Sequence, residues 1–195
     1  MTTWRTFIAI ELSPPLKAKL AELQEQLRPR LPPSSIRWVQ PDSIHLTLKF
    51  LGDTPTDKIE GIQTALARAA AQVAPFSFTV GELGCFPNNR QPRVVWVGLQ
   101  EPTGTLARLQ QAVEELVAPL GFPTEGRPFS PHLTLGRVQR HASRAEVRQI
   151  GEVVAASAVG VLDEMTVTAV SYIKSDLRPS GAVYTTLFQA GLGKA

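Results

Sequence analysis

The stretches SIHLTLKFLG (43–52) and SPHLTLGR (130–137) carry the same tetrapeptide, His-Leu-Thr-Leu, and its two copies start 87 positions apart. The chain has only three histidines, and the repeat takes two of them, His45 and His132. Each copy alternates polar and apolar residues, which is typical of a β-strand because successive side chains of a strand point to opposite faces. The repeat therefore predicts two similar strands that are far apart in the sequence.

The alternation within each copy also predicts which side chains share a face. His45 and Thr47 point one way, as do His132 and Thr134, whereas the leucines between them point to the core. If two such strands lie side by side, two imidazoles and two hydroxyls surround one polar cavity. A single copy would most simply be a strand with a buried histidine, but the repetition favours a functional site.

Strand and helix patterns alternate along the chain, and the second half repeats the order of the first with a period of roughly 90 residues. The order predicts an α+β fold: one domain over residues 1–195, made of two pseudo-symmetric lobes that each contribute one His-Leu-Thr-Leu strand. We expect a bilobal, duplicated fold in which two mixed, largely antiparallel sheets form a central cleft, with the helices outside. Near the end of the chain, 164–177 and 182–190 are predicted as the two strands of a hairpin around the turn RPSG, 178–181.

The composition limits the class of protein. The net charge is +3 and the isoelectric point is near 9.3, which permits a phosphate-bearing partner without demanding one. The single cysteine excludes an internal disulfide, and no apolar stretch is long enough to span a bilayer. We interpret residues 1–15 as a first strand of the mature protein rather than a cleaved leader, and we expect a cytoplasmic monomer.

Paired histidines and threonines suit proton transfer around a phosphate. An imidazole titrates near neutral pH, so one can take a proton from a nucleophile while the other protonates a leaving group. Two threonine hydroxyls can donate hydrogen bonds to the oxygens of an anion held between them. A phosphodiester with an alkoxide leaving group fits this set of side chains, and the chemistry requires no metal, cofactor or nucleophilic side chain.

A metal site is the main alternative, because Cys85 and His141 could join the paired histidines as ligands. However, the sequence contains no zinc-type spacing such as C-x-x-C or H-E-x-x-H, and His141 lies in a stretch typical of a solvated loop. Cys85 is interpreted as a buried strand residue rather than a nucleophile, since nothing in the sequence activates it. We therefore predict neither a metal nor a cofactor.

Several stretches resemble a known family. The paired H-x-T-x motifs resemble those of the 2H phosphoesterases, and their surroundings, RWVQPDSIHLTLKFLGD (37–53) and FSPHLTLGR (129–137), look like the branch named RNA 2′,3′-cyclic phosphodiesterase, also called 2′-5′ RNA ligase. Three further stretches look like the same branch: RTFIAIEL (5–12), CFPNNRQPRVVWVGL (85–99) and YIKSDLRPSGAVYTTL (172–187). The resemblance thus covers nearly the whole chain.

This resemblance implies metal-independent hydrolysis of an RNA-terminal 2′,3′-cyclic phosphate to a 2′-phosphate, in a cleft between two lobes. The residues that carry over by motif position are His45, Thr47, Phe50, His132, Thr134 and Arg137. His45 is assigned as the proton donor and His132 as the proton acceptor, and the other four as substrate-binding residues.

The implied partners are RNA ends or nucleotides that carry a 2′,3′-cyclic phosphate, with no membrane and no obligate protein partner. Two alternatives stay open. One is the reverse chemistry, which joins a 2′,3′-cyclic phosphate to a 5′-hydroxyl as a 2′-5′ bond. The other is an RNA-end-binding module without turnover.

Phe50 and Arg137 each lie five residues after a motif histidine, so strict alternation would place them on the opposite face from it. Each must therefore lie where its strand bends or ends, which for Arg137 we expect at Gly136. Without a bend, Phe50 would be a core residue and Arg137 an ordinary surface arginine. Tyr172 and Tyr184, in the predicted terminal hairpin, either reach the cleft or pack within the hairpin, and we favour packing.

Overall fold

The computed structural model describes residues 2–178 and 181–193, and over these residues it contains nine strands and four α-helices. In chain order the elements are β1 (Thr3–Glu11), α1 (Pro14–Leu27), β2 (Ile36–Trp38), β3 (His45–Pro55), α2 (Ile59–Ala70), β4 (Phe76–Phe86), β5 (Val94–Gln100), α3 (Thr105–Val117), β6 (His132–Val138), α4 (Arg144–Ala155), β7 (Val161–Val167), β8 (Ala169–Arg178) and β9 (Gly181–Gly191). The predicted α+β class is confirmed.

Local sequence signals set the starts of two helices. Ser13 caps α1, because its Oγ accepts a hydrogen bond from the Leu16 N–H at 3.5 Å, and prolines occupy the first helical positions, where no N–H is needed. A capping box starts α4: Ser143 Oγ accepts from the Glu146 N–H, and the Glu146 carboxylate accepts from the Ser143 N–H. None of the described helices is long and apolar enough to cross a membrane.

Two antiparallel sheets carry the fold. One has four strands in the order β3-β1-β8-β9, and the other has five in the order β2-β6-β5-β4-β7. We expected mixed sheets, but every pairing within the described residues is antiparallel. Each sheet combines strands from both halves of the chain, since β1 and β3 join β8 and β9, whereas β4 and β5 join β6 and β7. The two His-Leu-Thr-Leu strands, β3 and β6, therefore lie in different sheets.

The prediction of one continuous strand over 164–177 is wrong. The chain leaves the five-stranded sheet after Val167 and enters the four-stranded sheet at Ala169. Periodicity could not detect this change, because the apolar pattern continues across it and only the pairing partners differ. The terminal hairpin is confirmed by the pairing of β8 with β9, in which Leu177 lies opposite Ala182. Its predicted turn includes residues 179 and 180, which lie outside the described residues.

The leucines of both repeats lie in the core, as predicted. Leu46, Leu133 and Leu135 have no exposed surface, and Leu48 is 4% exposed. All four belong to a continuous apolar cluster that also contains the buried sides of the helices. The repeated strands therefore turn their leucines toward the helices, and their histidines and threonines to the other face of each sheet.

One buried ion pair connects β3 to the segment before β6. Lys49 Nζ lies 2.7 Å from Glu114 Oε2 of α3, and the two side chains are 3% and 8% exposed. Lys49 also donates a hydrogen bond to the Pro123 carbonyl at 2.6 Å, and Glu114 accepts one from the Glu125 N–H at 3.0 Å. Both charges are thus paired and hydrogen-bonded, the condition under which a buried ion pair is tolerated.

We predict that Glu114→Gln lowers the free energy of unfolding by about 3–5 kcal/mol, because it leaves the Lys49 ammonium buried without a counter-charge. Urea denaturation at constant pH, followed by circular dichroism, measures this change. The double variant Lys49→Met/Glu114→Gln is the matched control: it carries no charge at this position and should recover much of the loss. A single variant as stable as the wild type would show that the pair does not stabilise the fold.

Candidate active site

A β-bulge interrupts each of the two motif strands at the same place. In β3, Thr47 pairs with Ala9 but Lys49 pairs with Ile8, which leaves Leu48 as an extra residue. In β6, Thr134 pairs with Trp96 and Gly136 with Val95, so that Leu135 is the extra residue. The second leucine of each His-Leu-Thr-Leu copy is therefore the bulged residue. A bulge bends its strand and redirects the side chains that follow.

The bulges bring Phe50 and Arg137 to the same face as the motif histidines. Phe50 is 59% exposed, and its ring centroid lies 6.0 Å from that of Phe7, which in turn contacts His45. Arg137 is also exposed, next to buried Gly136. The expected bends are confirmed, for Arg137 beside Gly136 as predicted, and the alternative of Phe50 as a core residue is wrong.

His45 is held by its backbone and by aromatic rings. Its Nδ1 lies 2.9 Å from the Ser43 carbonyl oxygen, its ring stacks on Phe7 with centroids 4.6 Å apart, and Tyr184 meets it edge-on at 5.2 Å. A carbonyl can only accept a hydrogen bond, so Nδ1 carries the proton in the neutral ring. Nε2 is the nitrogen that is left for a ligand.

His132 repeats this arrangement in the other sheet. Its Nδ1 lies 2.8 Å from the Ser130 carbonyl oxygen, again two residues earlier in the chain. The Phe86 ring meets the imidazole edge-on, with centroids 4.8 Å apart, and Phe86 also contacts Trp96. The same carbonyl contact fixes the same tautomer, so both histidines keep Nε2 for a ligand.

Burial controls the charge of His45. It lowers the pKa of the imidazole to about 4, although the Ser43 carbonyl and the Glu11 carboxylate both act to raise it. Glu11 lies opposite His45 in the pairing of β1 with β3. Its carboxylate accepts hydrogen bonds from the hydroxyls of Ser171 and Thr186 at 2.9 and 3.0 Å. His45 is therefore neutral at pH 7 when no ligand is bound.

The charge of Arg137 in one sheet acts on Tyr184 in the other. Burial raises the pKa of Tyr184, and the positive charges of Arg137 and Arg5 act against this shift. Tyr184 belongs to β9 and Arg137 to β6, so a charge in one sheet acts on a side chain of the other. The Cα atoms of β3 and β6 also approach within 8 Å of each other. The two motif strands thus meet where the sheets face one another.

Sequence reasoning missed the rings that flank the histidines. Tyr184 packs against the Phe7 ring, and it also contacts His45, so both alternatives for this residue describe part of its surroundings; Tyr172 is fully buried. Phe7 and Phe86 were not singled out. The only available signal was that both lie in flanking stretches that resemble the family, because a contact between strands of different sequence position leaves no local pattern.

The remaining candidate ligands and nucleophiles, Cys85 and His141, make none of the contacts described for His45 and His132. Cys85 is buried, as predicted, and burial raises the pKa of its thiol to about 11. His141 is exposed in the loop before α4. Among residues 2–178 and 181–193, no three His, Cys, Asp or Glu side chains form a group that could hold a metal ion.

Comparisons with known proteins agree with this geometry. The family described as LigT like phosphoesterase matches the chain twice, over residues 10–96 and 97–184. A Methanothermobacter thermautotrophicus protein named RNA 2′,3′-cyclic phosphodiesterase is 32% identical over 94% of this chain and 96% of its own length. The structure of TT0787 from Thermus thermophilus matches with a TM-score of 0.80 and 28% identity, over 97% of this chain and 98% of that one.

The structure of LigT from E. coli in complex with 3′-AMP matches with a TM-score of 0.77 and 26% identity, over 97% of this chain and 98% of that one. Similarity of sequence and of fold thus extends over nearly the full length of these proteins. Because the family matches both halves of the sequence, each with its own His-Leu-Thr-Leu strand, the chain belongs to the LigT like phosphoesterases.

Proposed function

We propose that the protein is an RNA 2′,3′-cyclic phosphodiesterase, which hydrolyses a terminal 2′,3′-cyclic phosphate to a 2′-phosphomonoester. The observation that carries this proposal is the paired motif: two strands from two sheets present a histidine and a threonine each, with both Nδ1 atoms held by a backbone carbonyl. A relative that is 32% identical bears the name of this activity, and E. coli LigT has been solved with 3′-AMP. Both support a nucleotide phosphate as the ligand.

The reaction needs one proton acceptor and one proton donor. The acceptor takes a proton from water as the water oxygen forms a bond to phosphorus. The P–O3′ bond breaks on the opposite side, because displacement at phosphorus is in line. The donor protonates O3′, which leaves a 3′-hydroxyl and a 2′-phosphate. One phosphate between the two Nε2 atoms requires imidazoles roughly 5–8 Å apart, from ordinary hydrogen-bond reach.

The other motif residues hold the substrate in this proposal. Thr47 and Thr134 donate hydrogen bonds from their hydroxyls to phosphate oxygens, because the ionised oxygens can only accept. Arg137 adds a positive charge that stabilises the additional negative charge of the transition state. Phe50 offers an exposed ring on which a nucleobase can stack. Alternation puts the two threonines on the histidine face, and the two bulges bring Phe50 and Arg137 to the same face.

We assign His45 as the proton donor and His132 as the proton acceptor. A donor must be protonated when water attacks, whereas burial lowers the pKa of free His45 to about 4. A phosphate anion beside Nε2 favours the imidazolium and raises the pKa. We therefore infer that His45 gains its proton as the substrate binds, and that the empty site holds it neutral.

The proposal includes several finer points. Two imidazoles suffice for both proton transfers, so we propose that hydrolysis is independent of metal ions. The strand orders β3-β1-β8-β9 and β6-β5-β4-β7 correspond position by position, which supports one domain of two pseudo-symmetric lobes. We propose a monomer, because the site as described draws on one chain alone, and a cytoplasmic location, where RNA ends are available.

We predict that His45→Ala or His132→Ala lowers turnover of cytidine 2′,3′-cyclic phosphate by about 10²–10⁴, the range for the loss of an acid or base. Thr47→Val should cost less, about 10- to 100-fold, because one hydrogen bond to a charged phosphate is lost. Chromatography of the products in the presence of EDTA measures the rate, the metal requirement and the phosphate isomer together. His141→Ala, at an exposed histidine, is the matched control.

The wild type should release the 2′-phosphate at the same rate with and without EDTA. If it binds the cyclic phosphate but releases no product, the protein is an RNA-end-binding module instead. A double variant His45→Ala/His132→Ala that keeps wild-type turnover would remove the two histidines from the mechanism.

We expect a bound phosphodiester to raise the pKa of His45 above 4 by at least about one unit, the usual effect of a nearby opposite charge. NMR titration of the imidazole in the slow variant His132→Ala, with and without saturating cytidine 2′,3′-cyclic phosphate, measures this shift. Because binding then takes up a proton, the ligand should bind more tightly as the pH falls through the raised pKa toward 4, the pKa of the free site. A pKa that does not respond to the ligand would contradict the donor role.

Bis(4-nitrophenyl) phosphate distinguishes the two histidines, since its leaving oxygen needs no protonation. His45→Ala should therefore be impaired much less than His132→Ala on this substrate, although both are impaired on the cyclic phosphate. Release of nitrophenol, measured by absorbance, gives the rates. If His132→Ala is the variant that the activated ester rescues, the donor and acceptor are the reverse of our assignment.

A further inference from the structure

The short strand β2 has no counterpart in the repeated strand order. The four-stranded sheet ends at its motif strand β3, whereas the five-stranded sheet continues past its motif strand β6 to β2. Ile36 and Trp38 of β2 lie on the helix side, where Ile36 is buried and Trp38 lies under the Arg28 guanidinium at 5.2 Å. Alternation then places Arg37 alone on the histidine face. The extra strand thus adds one charged side chain to the histidine face of the five-stranded sheet.

Arg37 lies directly beside Arg137. The two residues are opposite each other in the pairing of β2 with β6. Residues opposite each other in an antiparallel pair share a face, with Cβ atoms about 4.5–5.5 Å apart. Arg137 reaches the histidine face because of the bulge at Leu135. Two exposed guanidinium groups therefore stand side by side, on the same face as His132 and Thr134.

Neither Arg37 nor Arg137 forms an ion pair with a carboxylate among the described residues. Like charges directly opposite each other destabilise a sheet. Within the part of the chain that the structure describes, no carboxylate lies within 4.0 Å of either Arg37 or Arg137, whereas Lys19 and Lys49 each have such a partner. An anion from outside the protein would offset the repulsion. Guanidinium groups bind phosphate oxygens through paired hydrogen bonds, which makes a phosphate the matching anion.

The position of the pair indicates which phosphate it binds. The cyclic phosphate of the proposed function lies between His45, His132 and the two threonines, with Arg137 at its side. Arg37 lies one strand farther out, about 4.8 Å beyond Arg137, so its strand position is farther from the histidines than that of Arg137. It is placed for a second phosphate, on the outer side of the first.

We propose that Arg37, together with Arg137, forms a subsite for the phosphodiester that links the terminal nucleotide to its 5′ neighbour. This inference rests on the proposed function, and it narrows the substrate class to RNA oligonucleotides that carry at least one internucleotide phosphate. The terminal base then stacks on Phe50 of β3, and the strand leaves the cleft across β6 and β2. The 5′-phosphate of a mononucleotide presents similar chemistry, and the test distinguishes the two.

The test compares three substrates that end in the same 2′,3′-cyclic phosphate: cytidine 2′,3′-cyclic phosphate with a free 5′-hydroxyl, the same nucleotide with a 5′-phosphate, and the dinucleotide CpC with a terminal cyclic phosphate. The measured quantity is the preference, defined as kcat/KM for the dinucleotide divided by kcat/KM for the mononucleotide with a free 5′-hydroxyl. A dinucleotide with a methylphosphonate linkage keeps the shape but lacks the charge.

We expect the wild type to prefer the dinucleotide and Arg37→Gln to lose that preference, by about 10- to 100-fold for a lost charge-assisted hydrogen bond. Arg37→Lys should recover part of it, and Arg68→Gln, which removes an exposed arginine from α2, should keep all of it. The methylphosphonate dinucleotide should show no preference in the wild type. The salt dependence of kcat/KM on the dinucleotide should also weaken in Arg37→Gln, with a slope smaller by about 0.7 for one phosphate contact.

The outcomes separate the two proposals. A wild type that hydrolyses none of the three cyclic phosphates overturns the proposed function; equilibrium binding of CpC with a terminal 2′-phosphate to the wild type and Arg37→Gln then decides the subsite without turnover. Equal preference, or equal binding, in the wild type and Arg37→Gln overturns the subsite. If Arg37→Gln instead lowers kcat/KM only for the mononucleotide with a 5′-phosphate and leaves CpC unchanged, the subsite binds a terminal phosphate. The proposal of an oligonucleotide substrate would then be wrong.

Discussion

The leucine left unpaired after each motif threonine, Leu48 in β3 and Leu135 in β6, decides what lies on the histidine face. Without the bulges at Leu48 and Leu135, the residue five positions after each histidine would point to the core, and the histidine face would lose its exposed aromatic ring and its arginine. The bulged leucines stay buried, so the cost of the interrupted pairing is offset by apolar burial. Phe50 and Arg137 reach the face of the histidines through this local exception to strand geometry.

Buried polar contacts hold the two bulges in different ways. At Leu135, the carbonyl oxygen accepts hydrogen bonds from the Val39 N–H and from the side chain of Gln24, at 2.9 Å each. Gln24 belongs to α1 and is only 1% exposed. In β3 the residue after the bulge is Lys49, whose ammonium is paired with Glu114. The repeated tetrapeptide thus has the same backbone shape in both strands, but each copy is supported by residues that do not repeat.

Much of the fold and half of the site could be predicted from the sequence, because those parts depend on local patterns. Strand alternation placed His45, Thr47, His132 and Thr134 on one face, and cap residues such as Ser143 located helix starts. The bulges, the change of sheet after Val167 and the contact of Tyr184 with His45 depend on which strands become neighbours. That information is not local, so only the family resemblance pointed to Phe50 and Arg137, and nothing pointed to Arg37 as part of the site.

Each sheet contains strands from both halves of the chain. This arrangement has a consequence for biosynthesis. The central strand β1 pairs with β8, in which Thr6 lies opposite Lys174. This pairing cannot form until Lys174 has been synthesised. At ordinary ribosomal speed the interval between their syntheses is on the order of ten seconds. During that time β1 can pair with β3 along one edge. Its other edge has unpaired N–H and C=O groups, which can pair with a strand of another chain. Until its last hairpin is synthesised, a nascent chain of this protein therefore carries an unpaired strand edge that favours aggregation.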